Sequence, residues 1–95
     1  MPRYLVQRRF PEGLHIPMDA QGAKTCDSVI ATNAEEGVTW LHSYVSDDLG
    51  TTFCIYDGPN PEAIRAVASR NGLPVESVGQ VRVLDPYFYR PEATS

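Results

Sequence analysis

Residues 38–57, VTWLHSYVSDDLGTTFCIYD, carry the strongest signal for the fold of this chain. Its two ends, 38–45 and 51–57, are rich in β-branched and aromatic side chains, which favour extended strands. The segment between them, 46–50, is polar and ends in a glycine, as longer hairpin loops often do. The sequence therefore predicts an antiparallel hairpin at the centre of the chain.

A helix is predicted on each side of this hairpin. Small and apolar residues recur with helical spacing over 20–34, and Gly37 is placed to end that helix. After the hairpin, Asn60 is a candidate N-cap and Pro61 suits the first helical position. Gly72 then supplies a C-terminal stop signal.

Two further strands, predicted over 4–10 and 78–84, complete the order β-α-β-β-α-β. Two right-handed split crossovers in one sheet give a ferredoxin-like α+β fold with both helices on one face. The other face stays uncovered, and an exposed apolar sheet favours association. We therefore expect a homodimer, that is, a dimeric α/β barrel. The aromatic tail, 85–95, is expected to cross onto the partner or to close a pocket.

Composition narrows the class of protein. A chain of 95 residues supports one core, so we expect a single domain over 1–95. The net charge of −4 disfavours nucleic acid as a partner, and the small basic clusters, which include Arg8, are expected to be solvated. No apolar run is long enough to span a membrane and no signal peptide is evident, so we expect a cytoplasmic protein. Cys26 and Cys54 are then expected as thiols.

The candidate site depends on the alternation of side chains along the central hairpin. On the first strand of the hairpin, alternation places Trp40, His42 and Tyr44 on one face. On the second strand, Phe53 and Ile55 form the apolar set and are expected to face the helices. The open face would then gather four polar or ligating side chains, namely His42, Tyr44, Cys54 and Tyr56.

The predicted chemistry of this face is metal binding. Cross-strand neighbours lie about 4.5–5.5 Å apart at Cβ, so His42 and Cys54 are predicted to ligate one cation, and nitrogen and sulfur ligands suit nickel, zinc or copper. Tyr44 and Tyr56 are expected to shape the site. No CxxC or HxxxH spacing accompanies them. The alternative is that the aromatic residues form a dimer core in which His42 is only hydrogen-bonded.

Other interpretations stay open. His15 is a solvated loop residue or a further ligand, and Cys26 is a packing residue of the first helix. Catalysis would use Cys54 as nucleophile with His42 as base, as in a hydrolase. A cofactor-independent oxygenase or isomerase would instead use His42 or Tyr44 to handle a proton. Whether the protein is an enzyme is not decided by these residues.

Three segments carry a family resemblance: YLV at 4–6 with the following Phe10-Pro11, VTWLHSYVSDD at 38–48, and TTFCIYDGPNPEAIRAVASRNGLPV at 51–75. Together they resemble a small actinobacterial domain-of-unknown-function family that includes a nickel-binding protein. The resemblance implies a ferredoxin-like dimeric α/β barrel and, for at least one member, nickel binding. It carries over no ligand motif, so the two metal ligands predicted above rest on strand alternation alone.

The leading hypothesis is a cytoplasmic homodimer that binds nickel or another divalent transition metal. The alternative is a dimeric α/β-barrel enzyme or sensor that holds a small aromatic molecule against Trp40, Tyr44 and Tyr56 without a cofactor. A purely structural interaction module is the third possibility. A deep pocket on the open sheet face favours the second hypothesis, and a flat sheet-to-sheet interface without a cavity favours the third.

Overall fold

The computed structural model of the chain describes residues 2–16 and 19–88. The elements follow the predicted order, with a short 3-10 turn after the last strand. They are β1 (Arg3–Arg9), α1 (Ala20–Glu35), β2 (Thr39–Val45), β3 (Thr51–Asp57), α2 (Pro61–Asn71), β4 (Ser77–Val81) and the 3-10 turn Pro86–Phe88. The part of the predicted aromatic tail from 89 to 95 lies outside the described residues.

The four strands form one sheet in the order β2-β3-β1-β4, and every neighbouring pair is antiparallel. β1 lies inside the sheet, where Tyr4 is opposite Tyr56 of β3 and Val6 is opposite Val78 of β4. This order, with helices after the first and third strands, is that of a ferredoxin-like fold. The predicted fold class is confirmed.

Local capping explains where the helices begin and end. At α2, the Asn60 side chain accepts a hydrogen bond from the Ala63 amide at 2.8 Å, and Gly72 ends the helix with a left-handed φ of 69°. At α1, the Asp19 carboxylate caps the first turn. Across the described residues, neither helix has the length and apolar character needed to cross a bilayer.

The core lies between the helices and one face of the sheet. Tyr4 and Val6 of β1 are buried there against Ile64 and Val67 of α2, and Cys54 and Tyr56 of β3 belong to the same cluster. The residues that alternate with them, among them Phe53 and Ile55, lie on the open face and are partly exposed. The prediction that Phe53 and Ile55 face the helices is wrong.

A β-bulge in β2 interrupts its alternation. Trp40 is opposite Tyr56 and His42 is opposite Ile55, so Leu41 is an extra residue between two consecutive partners on β3. Each side chain after the bulge therefore lies on the face opposite to the one that simple alternation predicts. Trp40 therefore lies on the helix side, whereas His42 lies on the open face. The prediction that Trp40, His42 and Tyr44 share one face is wrong for this reason.

Candidate functional site

The two predicted metal ligands lie on opposite faces of the sheet. Cys54 is directly opposite Ser43 and lies beneath the helices. Only 6% of the surface of Cys54 is exposed. His42, next to Ser43 along β2, is opposite Ile55 and is exposed on the open face. Because neighbouring residues of a strand point to opposite faces, His42 and Cys54 cannot ligate one ion within a chain. The predicted joint site is corrected accordingly.

On the open face, the structure brings His42 and Tyr44 together. Their ring centroids are 5.2 Å apart and the planes meet at 84°, an edge-to-face arrangement. Tyr44 is 63% exposed. These two residues are thus available to a partner or a ligand, but they are separated by the sheet from Trp40 and Tyr56.

On the helix side, Trp40, Cys54 and Tyr56 line a cavity of about 310 Å³. This volume lies at the lower end of the range for pockets that bind small molecules. The cavity is partly open to solvent and is lined by three strands, by α1, by the segment that follows β1 and by a residue after α2. It lies on the helix side of the sheet and not on the open face, where a ligand pocket was expected. The other lining residues are Arg8, Phe10, Leu14, His15, Ile16, Thr25, Cys26, Val29, Ser43, Val45, Thr52 and Leu73. We call it the helix-side cavity.

Several polar side chains in the cavity walls bond to each other. The Trp40 Nε1–H donates to Ser43 Oγ at 2.9 Å. The Cys54 thiol donates to Thr52 Oγ1 at 3.6 Å, and the residue surface of Thr52 is only 2% exposed. These bonds occupy the indole N–H and the thiol, and the surface that faces the cavity is largely apolar.

Arg8 is the functional candidate that the sequence analysis missed. It is 2% exposed, so the expectation of a solvated charge is wrong. Its Nη1–H donates to the Pro74 carbonyl at 2.8 Å and its Nη2–H to the Tyr56 hydroxyl at 3.1 Å. Alternation could have indicated this position, because Tyr4, Val6 and Arg8 share one face of β1.

Burial also affects the partner of Arg8. Loss of solvation raises the pKa of the Tyr56 phenol, and the nearby positive charge of Arg8 opposes that rise only in part. The phenol is therefore neutral at physiological pH. It accepts a hydrogen bond from the guanidinium but supplies no negative charge to balance it.

No single-chain metal centre is present among the residues that the structure describes. Within 2–16 and 19–88, no three His, Cys, Asp or Glu side chains are grouped closely enough to hold an ion. His15, Cys26 and Cys54 all line the helix-side cavity without forming such a group. The described part of one chain thus offers single thiol and imidazole side chains, and His42 is the exposed imidazole on the open face.

The fold and the cavity define a small ferredoxin-like α+β protein with an apolar pocket beneath its helices. The chain belongs to a family described as nickel responsive protein SCO4226-like, whose model matches residues 4–81. This confirms the family resemblance noted in the sequence.

One solved structure supports the fold. The crystal structure of SCO4226 from Streptomyces coelicolor A3(2) is similar with a TM-score of 0.68 and 22% sequence identity. The match covers 87% of this chain and 99% of that chain. No curated protein matches the sequence.

Proposed function

We propose that this protein is a cytoplasmic, homodimeric metal-binding protein of the nickel response, with His42 supplying a ligand on the open sheet face. The observation that carries the proposal is the match of residues 4–81 to a family named for its response to nickel. An exposed imidazole is a common ligand of nickel and other late divalent transition metals. The proposal no longer includes Cys54, which lies on the other face.

The dimer is proposed from the same face. Leu5, Phe53 and Ile55 are partly exposed there, beside the well exposed ring of Tyr44. An apolar sheet surface that no helix covers favours association with a second copy. Pairing two such faces would bring two His42 side chains into one interface and would add the ligands that one chain lacks.

The proposal is tested by titrating untagged protein with nickel in a calorimeter. The chain has two histidines, so His15→Ala is a matched control for His42→Ala. We expect His42→Ala to abolish nickel binding, while His15→Ala and Cys54→Ser retain it. Wild-type affinity in His42→Ala would contradict the proposed ligand, and wild-type protein that binds no nickel would contradict the function.

The dimer has its own test. Light scattering at micromolar concentration is expected to give twice the mass of one chain. Phe53→Asp places a charge on the partly exposed open face and is expected to give the mass of one chain. Ser28→Asp, at an exposed position of α1 on the other side of the sheet, serves as a control for added charge. A monomeric wild type would contradict the homodimer.

A second candidate function is favoured by the helix-side cavity, which suits an enzyme or sensor that holds a small aromatic molecule. Trp40 and Tyr56 supply aromatic walls, and Trp40 is the one tryptophan of the chain, so its emission reports binding. We expect benzyl alcohol to change this emission in the wild type. Val29→Phe, which fills space in the cavity wall without adding a second indole, is expected to remove the response to benzyl alcohol. An unaffected wild type would contradict this candidate.

A further inference from the structure

Arg8 places a buried positive charge against the helix-side cavity. Arginine stays protonated in proteins, so its guanidinium cannot escape the cost of burial by losing a proton. Its two hydrogen bonds go to neutral acceptors, the Pro74 carbonyl and the Tyr56 hydroxyl. Among the described residues Arg8 forms no ion pair, and its Nε–H has no hydrogen-bond partner.

Such a charge is unusual unless something balances it. Buried charges in proteins are normally paired, because the loss of solvation costs several kcal/mol per ion. The ring of Tyr56 lies 5.9 Å from the guanidinium carbon and gives only a weak cation–π contact. The planar fork of arginine matches a carboxylate, which can accept two parallel N–H bonds.

The rest of the cavity specifies the other part of the ligand. Phe10, Val29 and Trp40 offer apolar or aromatic surface. Among the described residues, Arg8 is the one Lys or Arg side chain in the lining. A single positive charge balances a monoanion better than a phosphate dianion. The apolar walls favour a hydrocarbon or aromatic body over a sugar or a polar metabolite.

From these observations we infer that the helix-side cavity binds an apolar monocarboxylate, whose carboxylate pairs with the Arg8 guanidinium and whose body lies against Trp40. This inference rests on the second candidate function and specifies the chemical class of its ligand. It is independent of nickel binding, which is proposed for the opposite face.

The test compares each acid with its neutral isostere on the full chain. Phenylacetate and octanoate are titrated against phenylacetamide and octanamide, with Trp40 emission as the readout and calorimetry as confirmation. We expect the acids to bind about ten-fold tighter than the amides or more, as a charge-assisted hydrogen-bonded pair allows. Arg8→Met is expected to remove the preference, whereas Tyr56→Phe, which keeps the guanidinium, is expected to retain it.

The possible results distinguish a failure of this inference from a failure of the second candidate function. Equal binding of acid and amide would overturn the role of Arg8 but leave a cavity that binds small apolar molecules. Binding of neither acid nor amide would overturn both. A preserved acid preference in folded Arg8→Met would also overturn the inference. The comparison in wild-type protein decides the matter even if Arg8→Met does not fold.

Discussion

The indole nitrogen of Trp40 donates a hydrogen bond to the hydroxyl of Ser43 at 2.9 Å, although simple alternation would put these residues on opposite faces of β2. The bulge at Leu41 makes this contact possible. It turns the indole toward the helix-side cavity and leaves His42 on the open face. One extra residue in β2 therefore places Trp40 and His42 on opposite faces of the sheet.

Ser43→Ala removes the hydroxyl that accepts the hydrogen bond from Trp40, and it leaves the half-buried indole N–H without this acceptor. We expect a loss of about 1 kcal/mol in the free energy of unfolding, measured by urea denaturation. Trp40 emission in the native state should also change, since its surroundings change. Ser28→Ala, at an exposed position of α1, is the control and is expected to alter stability by less than about 0.5 kcal/mol. Equal effects of the two substitutions would argue against a stabilising role for the Trp40–Ser43 contact.

The reactivity of the two thiols tests the placement of β3. Cys54 is buried beneath the helices, whereas Cys26 is partly exposed. In the native Cys54→Ser variant, the remaining thiol of Cys26 is expected to react quickly with a thiol reagent. In the native Cys26→Ser variant, the remaining thiol of Cys54 is expected to react slowly. Both variants should react at similar rates in denaturant. Fast modification of Cys54 in the native state would show that β3 does not turn this side chain inward.

Alkaline pH tests the burial of Tyr56. Its pKa is raised by loss of solvation, so the folded chain holds a proton that the unfolded chain releases above about pH 10. The stabilisation is therefore complete below that pH and is lost as pH rises through the raised pKa. We expect the free energy of unfolding to fall less steeply above pH 10 in Tyr56→Phe than in the wild type. Parallel pH profiles would contradict the raised pKa.

The fold was predictable because its signals are local. Asn60, Pro61 and Gly72 mark the ends of α2 by their own conformational preferences, and the polar segment 46–50 marks the hairpin. Element order then restricts the topology to few arrangements. None of these signals requires knowledge of which face of a strand is covered.

The site was not predictable in the same way. A strand that packs against helices was expected to turn Phe53 and Ile55 inward, but β3 instead buries Thr52, Cys54 and Tyr56. Arg8 also lies on that covered face, where its hydrogen bonds to Pro74 and Tyr56 depend on residues far along the chain. Nor does the sequence of β2 mark the bulge at Leu41, which becomes evident in its pairing with β3.

The most direct test of two separate sites is a nickel titration of isotope-labelled protein followed by amide and indole NMR signals. We expect nickel to perturb the signals of His42, Tyr44 and Ile55 on the open face most strongly, and the Trp40 indole signal on the other face much less. Stronger perturbation of the Trp40 indole and Cys54 than of His42 would place the metal beneath the helices and contradict the proposed site on the open face.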